Sequence, residues 1–386
     1  MRIGLAWGAA MVLSSVSLMP LDRTIYGTTV ATRKDGDLRF QRPFLLEFVM
    51  FLAMASCLVL EVPAWRSRLG PGRALHGPAA PAASGSFWPS RGVVLRLLVP
   101  ALCDLLGSWF IFTGALWVPA SIVEMMGAAN VVFTALLSKT LLGNVMAKHE
   151  AFGVGVLVVG LLVVGSARVA SVSGQDDGTS EGLPAWAPPL GLLMVLLANL
   201  FYALEFIVTE RLLGESGASA FMSVGVMGLW GVLMFAVLFP VLAATPRAPE
   251  AWAPAVHEEL GSSLALVAAR PALAAEIAGL WAMLLIFNAA AFKTTEHLSA
   301  LTRVVLGQLV SPLVWLLDVA LSRLVGGGAA ERWTSWSFLQ LLGFALLVAG
   351  SAVYNDAAPR CCATGGCPPA RSAAGVSLVE AAGAGG

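Results

Sequence analysis

Gly160-Leu161-Leu162-Val163-Val164-Gly165-Ser166-Ala167 closes one long apolar run, and Ala345-Leu346-Leu347-Val348-Ala349-Gly350-Ser351-Ala352 closes another. Their letters are the commonest in the chain, so the match gains its weight from position. Each ends the fifth apolar segment of its part of the sequence. Working outward from them gives ten runs of spanning length, near Ile3–Pro20, Pro43–Val62, Val93–Thr113, Val118–Leu142, Phe152–Val169, Pro188–Leu213, Ala220–Ala244, Ala272–Lys293, Leu298–Leu321 and Trp336–Tyr354. About 20 apolar residues cross a bilayer as a helix. Ten such helices read as two fives, and because five is odd the second set must cross in the opposite sense to the first. An inverted repeat of this kind is an architecture of secondary transporters, with the substrate site near the midplane between the halves. The expected organisation is a first five-helix repeat over 1–170, a polar linker over 171–187, a second repeat over 188–355 and a disordered tail over 356–386.

Composition agrees with the class. Of 386 residues, 58% are hydrophobic and 12% charged, with a mean hydropathy of +0.82. Soluble domains carry about 25% charged residues, so a soluble enzyme is excluded. The 23 basic and 23 acidic residues cancel, which leaves no basic stripe for nucleic acid. Lys and Arg divide almost evenly between the two sides of the membrane, so the positive-inside count leaves orientation open. Arg2 and the small residues Ser14–Ser17 also fit a cleavable leader; the repeat requires that segment as a helix. Cys57 and Cys103 sit in apolar runs, and Cys361, Cys362 and Cys367 follow the last one. No disulfide framework, metal motif or cofactor signature is legible. The four His, at 76, 149, 257 and 297, lie beside no mid-span carboxylate or nucleophile, which disfavours an enzyme.

Polar groups inside spans are costly and usually face a bundle interior or a wet cavity. The sixth run aligns Asn199, Tyr202, Glu205 and Thr209 as one stripe at helical spacing. The fourth aligns Ser121, Glu124, Gly127, Thr134 and Ser138, and the ninth aligns Arg303, Gly307, Ser311 and Asp318, with Pro312 expected to loosen that helix. Asp104 and Asn288 lie well inside the third and eighth. Asn130, Ser138 and Ser311 also suit hydrogen bonding between helices as packing. Glu61, Lys139, Glu210, Lys293 and Asp318 lie near span ends, where long side chains reach the headgroups. Glu47 stands near the start of its span. The fifth and tenth runs have almost no polar face, and glycine recurs at 153, 155, 160 and 165. Both are expected at the periphery, against lipid or as a homodimer contact with a second copy.

Leu45 to Leu60, with Met50-Phe51-Leu52 and Ser56-Cys57-Leu58, resembles the second span of solute carrier family 35, subfamily F. Pro100-Ala101-Leu102-Cys103-Asp104 is similar to its third span. Leu298-Ser299-Ala300-Leu301-Thr302-Arg303-Val304-Val305-Leu306 is similar to the opening of its ninth, and Gly350-Ser351-Ala352-Val353-Tyr354-Asn355 to the end of its tenth. The resemblance covers nearly all of residues 1–355. It implies the drug/metabolite transporter superfamily, ten helices in two inverted EamA-like halves, cytosolic termini, and an endomembrane address such as Golgi, lysosome or vacuole. It also implies a cavity between spans one to four and six to nine. Asp104, Asn288, Glu296, Thr302 and Arg303 match the family pattern. The chain departs from it with Glu124 and Gly127 where the family tends to carry Gln and Arg, and with Gly307 and Val310 where it carries Asp and Arg. It also lacks the dibasic pair of plastid phosphate-sugar translocators, having Arg303 alone.

The reading is a secondary-active transporter of a small polar metabolite, of nucleotide-sugar or organic-anion type, working by alternating access. Its substrate-facing residues are Asp104, Glu124, Asn199, Tyr202, Glu205, Asn288, Thr302, Arg303 and Ser311. Arg303 would meet an anionic group, and Glu124 and Glu205 would take a proton or cationic group. The alternative is a non-transporting scaffold that retains the fold, using the Pro246–Pro271 loop and the tail for partners. Polar stripes that converge on one cavity favour the carrier.

Overall fold

A computed structural model describes residues 2–32, 36–40, 42–69, 88–115, 117–118, 120–143, 146–172, 186–216, 218–245, 257–310, 312–314, 316–317 and 336–363. The apolar runs form helices. These are α1 (Arg2–Gly27), α2 (Pro43–Leu69), the short α3 (Arg91–Arg96) leading into α4 (Leu98–Gly114), α5 (Ala120–Leu141), α6 (Lys148–Val172), α7 (Ala187–Ser216) and α8 (Ala220–Ala244). They continue as α9 (Leu260–Ala269), α10 (Pro271–His297), α11 (Ala300–Gly307) and α12 (Ser337–Ala363). Seven stretches are long and apolar enough to cross a membrane: Pro43–Val62, Arg91–Gly114, Lys148–Ala167, Pro189–Ser216, Ala220–Ala244, Pro271–His297 and Ser337–Tyr354. The first, fourth and ninth expected segments fall on shorter apolar stretches, Ile3–Leu18, Met126–Leu141 and Ala300–Val314. Large apolar side chains that a soluble protein would bury stand outward, with Val59 70%, Val237 66% and Phe338 67% exposed. The chain is an α-helical membrane protein.

Two features depart from the expected pattern, a hairpin after α1 and the length of the tenth helix, while the broken ninth helix follows it. A small antiparallel hairpin, β1 (Thr29–Thr32) against β2 (Gly36–Arg39), follows α1, with Thr29 opposite Arg39. Gly27 ends the helix there, and the β-branched Thr28, Thr29, Val30 and Thr32 suit a strand, so the chain is not purely helical. The ninth helix is broken: α11 ends at Gly307, Gln308 and Leu309 turn, and helix resumes around Pro312. Proline lacks an N–H and its ring crowds the carbonyl four residues earlier, which here belongs to Gln308. The tenth helix runs to Ala363, so the first residues of the expected tail are helical; the tail beyond, and Asp318, lie outside the described residues.

The principal pairings are α6 with α12, α1 with α10, α2 with α8, and α4 with α7. α5 lies against α6 and α7, and α11 touches α5, α10, α7 and α1. The α6–α12 crossing is set by glycine. A Cβ on Gly160 would come 3.0 Å from the Gly343 carbonyl oxygen, and one on Gly350 would come 2.9 Å from that of Gly153. Any side chain at those four positions would hold the backbones apart. The small-residue face expected to look outward is thus spent within the chain, while Phe152, Val159 and Phe338 remain exposed.

Carboxylates from distant segments hold several helix starts, where N–H groups have no partner within the helix. Glu258 accepts from Phe44 N and Leu45 N at 3.1 Å each, and from Ser263 Oγ at 3.1 Å. Reciprocally, Glu61 accepts from the hydroxyl of Ser219, the residue that caps α8. So α2 begins on an acid that follows α8, and α8 begins on an acid that ends the apolar part of α2. Glu210 accepts from Ala300 N at 2.9 Å and holds the start of α11. Each arrangement puts negative charge at the positive end of a helix dipole. Glu61 and Glu210, near the ends of their apolar runs, are used in this way. Burial pushes the Glu258 carboxyl above the ordinary range, against the opposing pull of Ser263, Arg42 and the two amides.

Candidate functional site

The start of α11 puts Arg303 one turn in from Ser299, which caps the helix by accepting from Thr302 N at 3.0 Å. Its guanidinium carbon lies 4.2 Å from the ring centre of Phe206 on α7 and 5.4 Å from that of Phe292 on α10. Nη1 is 3.7 Å from Glu205 Oε1, and both side chains are buried. That distance gives Coulomb attraction without a hydrogen bond, and Nη1 has no hydrogen-bond partner among the described residues. Asp104 on α4 is the second carboxylate acting on the same guanidinium.

Arg303 borders a half-open cavity of about 270 Å³ lined by α1, α5, α7, α10 and α11. Its polar wall is Ser15, Asn130, Arg303 and Gln308, and its apolar wall includes Met11, Phe206 and Phe287. Thr134 Oγ1 donates to Asn130 Oδ1 at 3.1 Å, which leaves the amide NH2 for an occupant. Behind Arg303, away from this cavity, Tyr202 Oη and Ser108 Oγ are 3.2 Å apart. Ser108 is one helical turn beyond Asp104, on the same face.

The expected residues thus separate. Asp104, Tyr202, Glu205 and Arg303 come together, from α4, α7 and α11. Asn199 Nδ2 donates to Val195 O at 2.8 Å and Asn288 Nδ2 to Leu284 O at 2.9 Å, each within its own helix. Thr302 Oγ1 lies 2.8 Å from Ser299 Oγ in the cap of α11. The Glu124 side chain and Ser311 lie outside the described residues. Sequence reasoning missed Ser15, Phe206, Phe292 and Gln308, and it treated Asn130 mainly as packing. A lone Phe on an apolar helix carries no signal of which cation it will cover.

No family model matches the chain. Solute carrier family 35 member F6 of Homo sapiens is 28% identical over 317 residues, covering 82% of this chain and 78% of that protein. The member F6 protein of Mus musculus is 27% identical over 318 residues, with the same coverage. An uncharacterised protein of Schizosaccharomyces pombe is 24% identical over 264 residues, covering 67% of this chain and 74% of that one. A solved crystal structure matches with a TM-score of 0.52 and 15% identity, covering 93% of this chain and 99% of the other, which speaks to the fold alone. The member F6 relatives, at 26–28% identity over 82% of its length, make this chain similar to solute carrier family 35, subfamily F, of the drug/metabolite transporter superfamily.

Proposed function

We propose that the chain is a secondary-active transporter of a small organic anion, crossing the membrane ten times as two inverted five-helix halves, residues 1–170 and 188–355. The observation that carries this reading is Arg303, whose buried Nη1 has no hydrogen-bond partner among the described residues and which borders a cavity with amide and hydroxyl groups on its wall. An anionic group entering there would complete the guanidinium's hydrogen bonding. The helix pairings support the two halves. Exchanging each span with the one five places on carries the α1–α10 pair onto α4–α7, and maps α2–α8 and α6–α12 onto themselves.

A broken α11 beside the cavity suits a carrier, because discontinuous helices line the binding sites of many transporters. Ligand pockets typically span about 300–1,000 Å³, so a volume of about 270 Å³ favours a small organic acid over a nucleotide sugar. Alternating access follows from rocking the halves about this site, with a proton as the coupling ion. The family relationship favours an endomembrane location with cytosolic termini. Asn130 of α5 and Arg303 and Gln308 of the ninth segment share one cavity wall, which weighs against a scaffold. The test is uptake into proteoliposomes across organic acids, amino acids and nucleotide sugars, with and without a pH gradient. Flux that is unchanged in both Arg303→Ala and Glu124→Gln overturns the reading.

A further inference from the structure

Glu47 lies in the first turns of α2 with 3% of its surface exposed, and neither carboxylate oxygen has a hydrogen-bond partner among the described residues. The other acids described above are each accounted for. Glu205 has Arg303, Glu258 has two amides, Glu61 has Ser219 and Glu210 has Ala300 N. Among the described residues, the groups that face Glu47 are Asp104 and Ser108 on α4, Tyr202 on α7, and Glu258 ahead of α9. No cation is among them. α8 carries no ionisable side chain. α10 brings Glu276, together with Lys293 and Glu296, which are paired with each other at 2.6 Å.

Among the described residues an ionised carboxylate in such a place has no counter-charge and only the Ser108 hydroxyl close enough to favour it, so its desolvation is poorly offset. The cluster is also short of positive charge. Asp104 acts on both Glu47 and Glu205, and the single guanidinium among the described residues of the cluster is Arg303. One positive charge balances one acid, so the remainder must carry protons or an added cation. Glu47 is farthest from balance, because its own neighbours are acids and hydroxyls.

We propose that Glu47 is a proton-binding site, loaded in this conformation, set between the end of the bundle that Glu258 caps and the Asp104–Arg303–Glu205 cluster. Its role in transport rests on the carrier reading above. In that cycle Glu47 gives up its proton to water when the Glu258-capped end opens, leaving a carboxylate that is then hydrated.

Full-length protein in lipid nanodiscs, without substrate, provides the test. Infrared difference spectra should contain the carbonyl-stretch band of a protonated carboxylic acid at neutral pH. In Glu47→Gln one component of that band should vanish, with thermal stability kept, since Gln has the shape of the neutral acid. If the Gln variant does not fold, Glu47→Asp should move the component instead. The proposal is overturned if the wild type has no such band at neutral pH, if the band is unchanged in the variants, or if added sodium at fixed pH abolishes it. The band is read without transport. A missing band therefore leaves the carrier reading standing, and failed uptake leaves the proton site standing.

Discussion

Arg303 and Glu205 attract each other across 3.7 Å without a hydrogen bond, in a buried site where Nη1 bonds to nothing else among the described residues. A charge pair held at this spacing keeps the guanidinium in place through Coulomb force and the Phe206 and Phe292 rings, while Nη1 keeps its donors unused among the described residues. It is also incomplete, and an incomplete buried pair is more costly than a closed one.

Arg303→Ala should therefore weaken anion uptake more than it weakens the fold. A hydrogen bond to a charged group contributes about 1.5–3 kcal/mol, equivalent to a rise of roughly ten- to a hundredfold in the apparent substrate constant. Arg303→Lys keeps the charge and loses the planar fork, and should recover part of the uptake. Concentration-dependent uptake into proteoliposomes measures both.

Glu205→Gln and Asp104→Asn should not be additive. Removing one partner of a buried ion pair costs about 3–5 kcal/mol, but Arg303 draws on two acids, so either single change leaves it one. The double variant should lose more thermal stability than the sum of the singles, by about 0.5–3 kcal/mol of coupling. Additive losses would mean that Asp104 does not share the guanidinium.

Gly343→Ala should destabilise the protein and Gly155→Ala should not. A Cβ at Gly343 would lie 2.9 Å from Val164 N, whereas one at Gly155 meets nothing within 4 Å. Overpacking a tight contact costs about 1–3 kcal/mol, while Gly to Ala on an open helix face gains up to about 1 kcal/mol. Melting temperatures of the two variants in the same detergent decide the matter.

Stability should fall as pH rises through the elevated titration of Glu258. Its folded carboxyl titrates above the ordinary range because burial outweighs its hydrogen bonds. Between the unfolded and folded values the native state therefore binds more protons than the unfolded state, and stability declines with pH across that window. Glu258→Gln retains an acceptor for one amide and should flatten this part of the melting-temperature profile. A slope left unaltered would assign the dependence to another group.

Much of the helix plan was legible in the sequence, because a run of apolar residues near spanning length has few other uses in a chain this poor in charge. Pro312 foretold the break in α11, and the α7 stripe foretold the meeting of Tyr202 and Glu205 with their neighbours. The hairpin at Thr29–Arg39 was not legible, since four-residue strands carry little periodicity. Glu61, Glu210 and Glu258 were hidden for another reason. Their partners are amides and hydroxyls of helices far away in sequence, and a backbone N–H leaves no letter to read. Asn199 and Asn288 look alike in sequence to residues that line a cavity, but here each bonds a carbonyl one turn earlier.

The glycine-to-glycine crossing of α6 and α12 joins stretches of chain lying on either side of the segment 173–185. Because that union is made by interlocking surfaces and not by the peptide between them, the covalent connection is dispensable for assembly. Residues 1–178 and 179–386, made as two separate polypeptides in one cell, should find each other in the bilayer and copurify, and a bulky residue at Gly160 should lower the yield of the complex without abolishing it, because α1–α10, α2–α8 and α4–α7 also join the two parts.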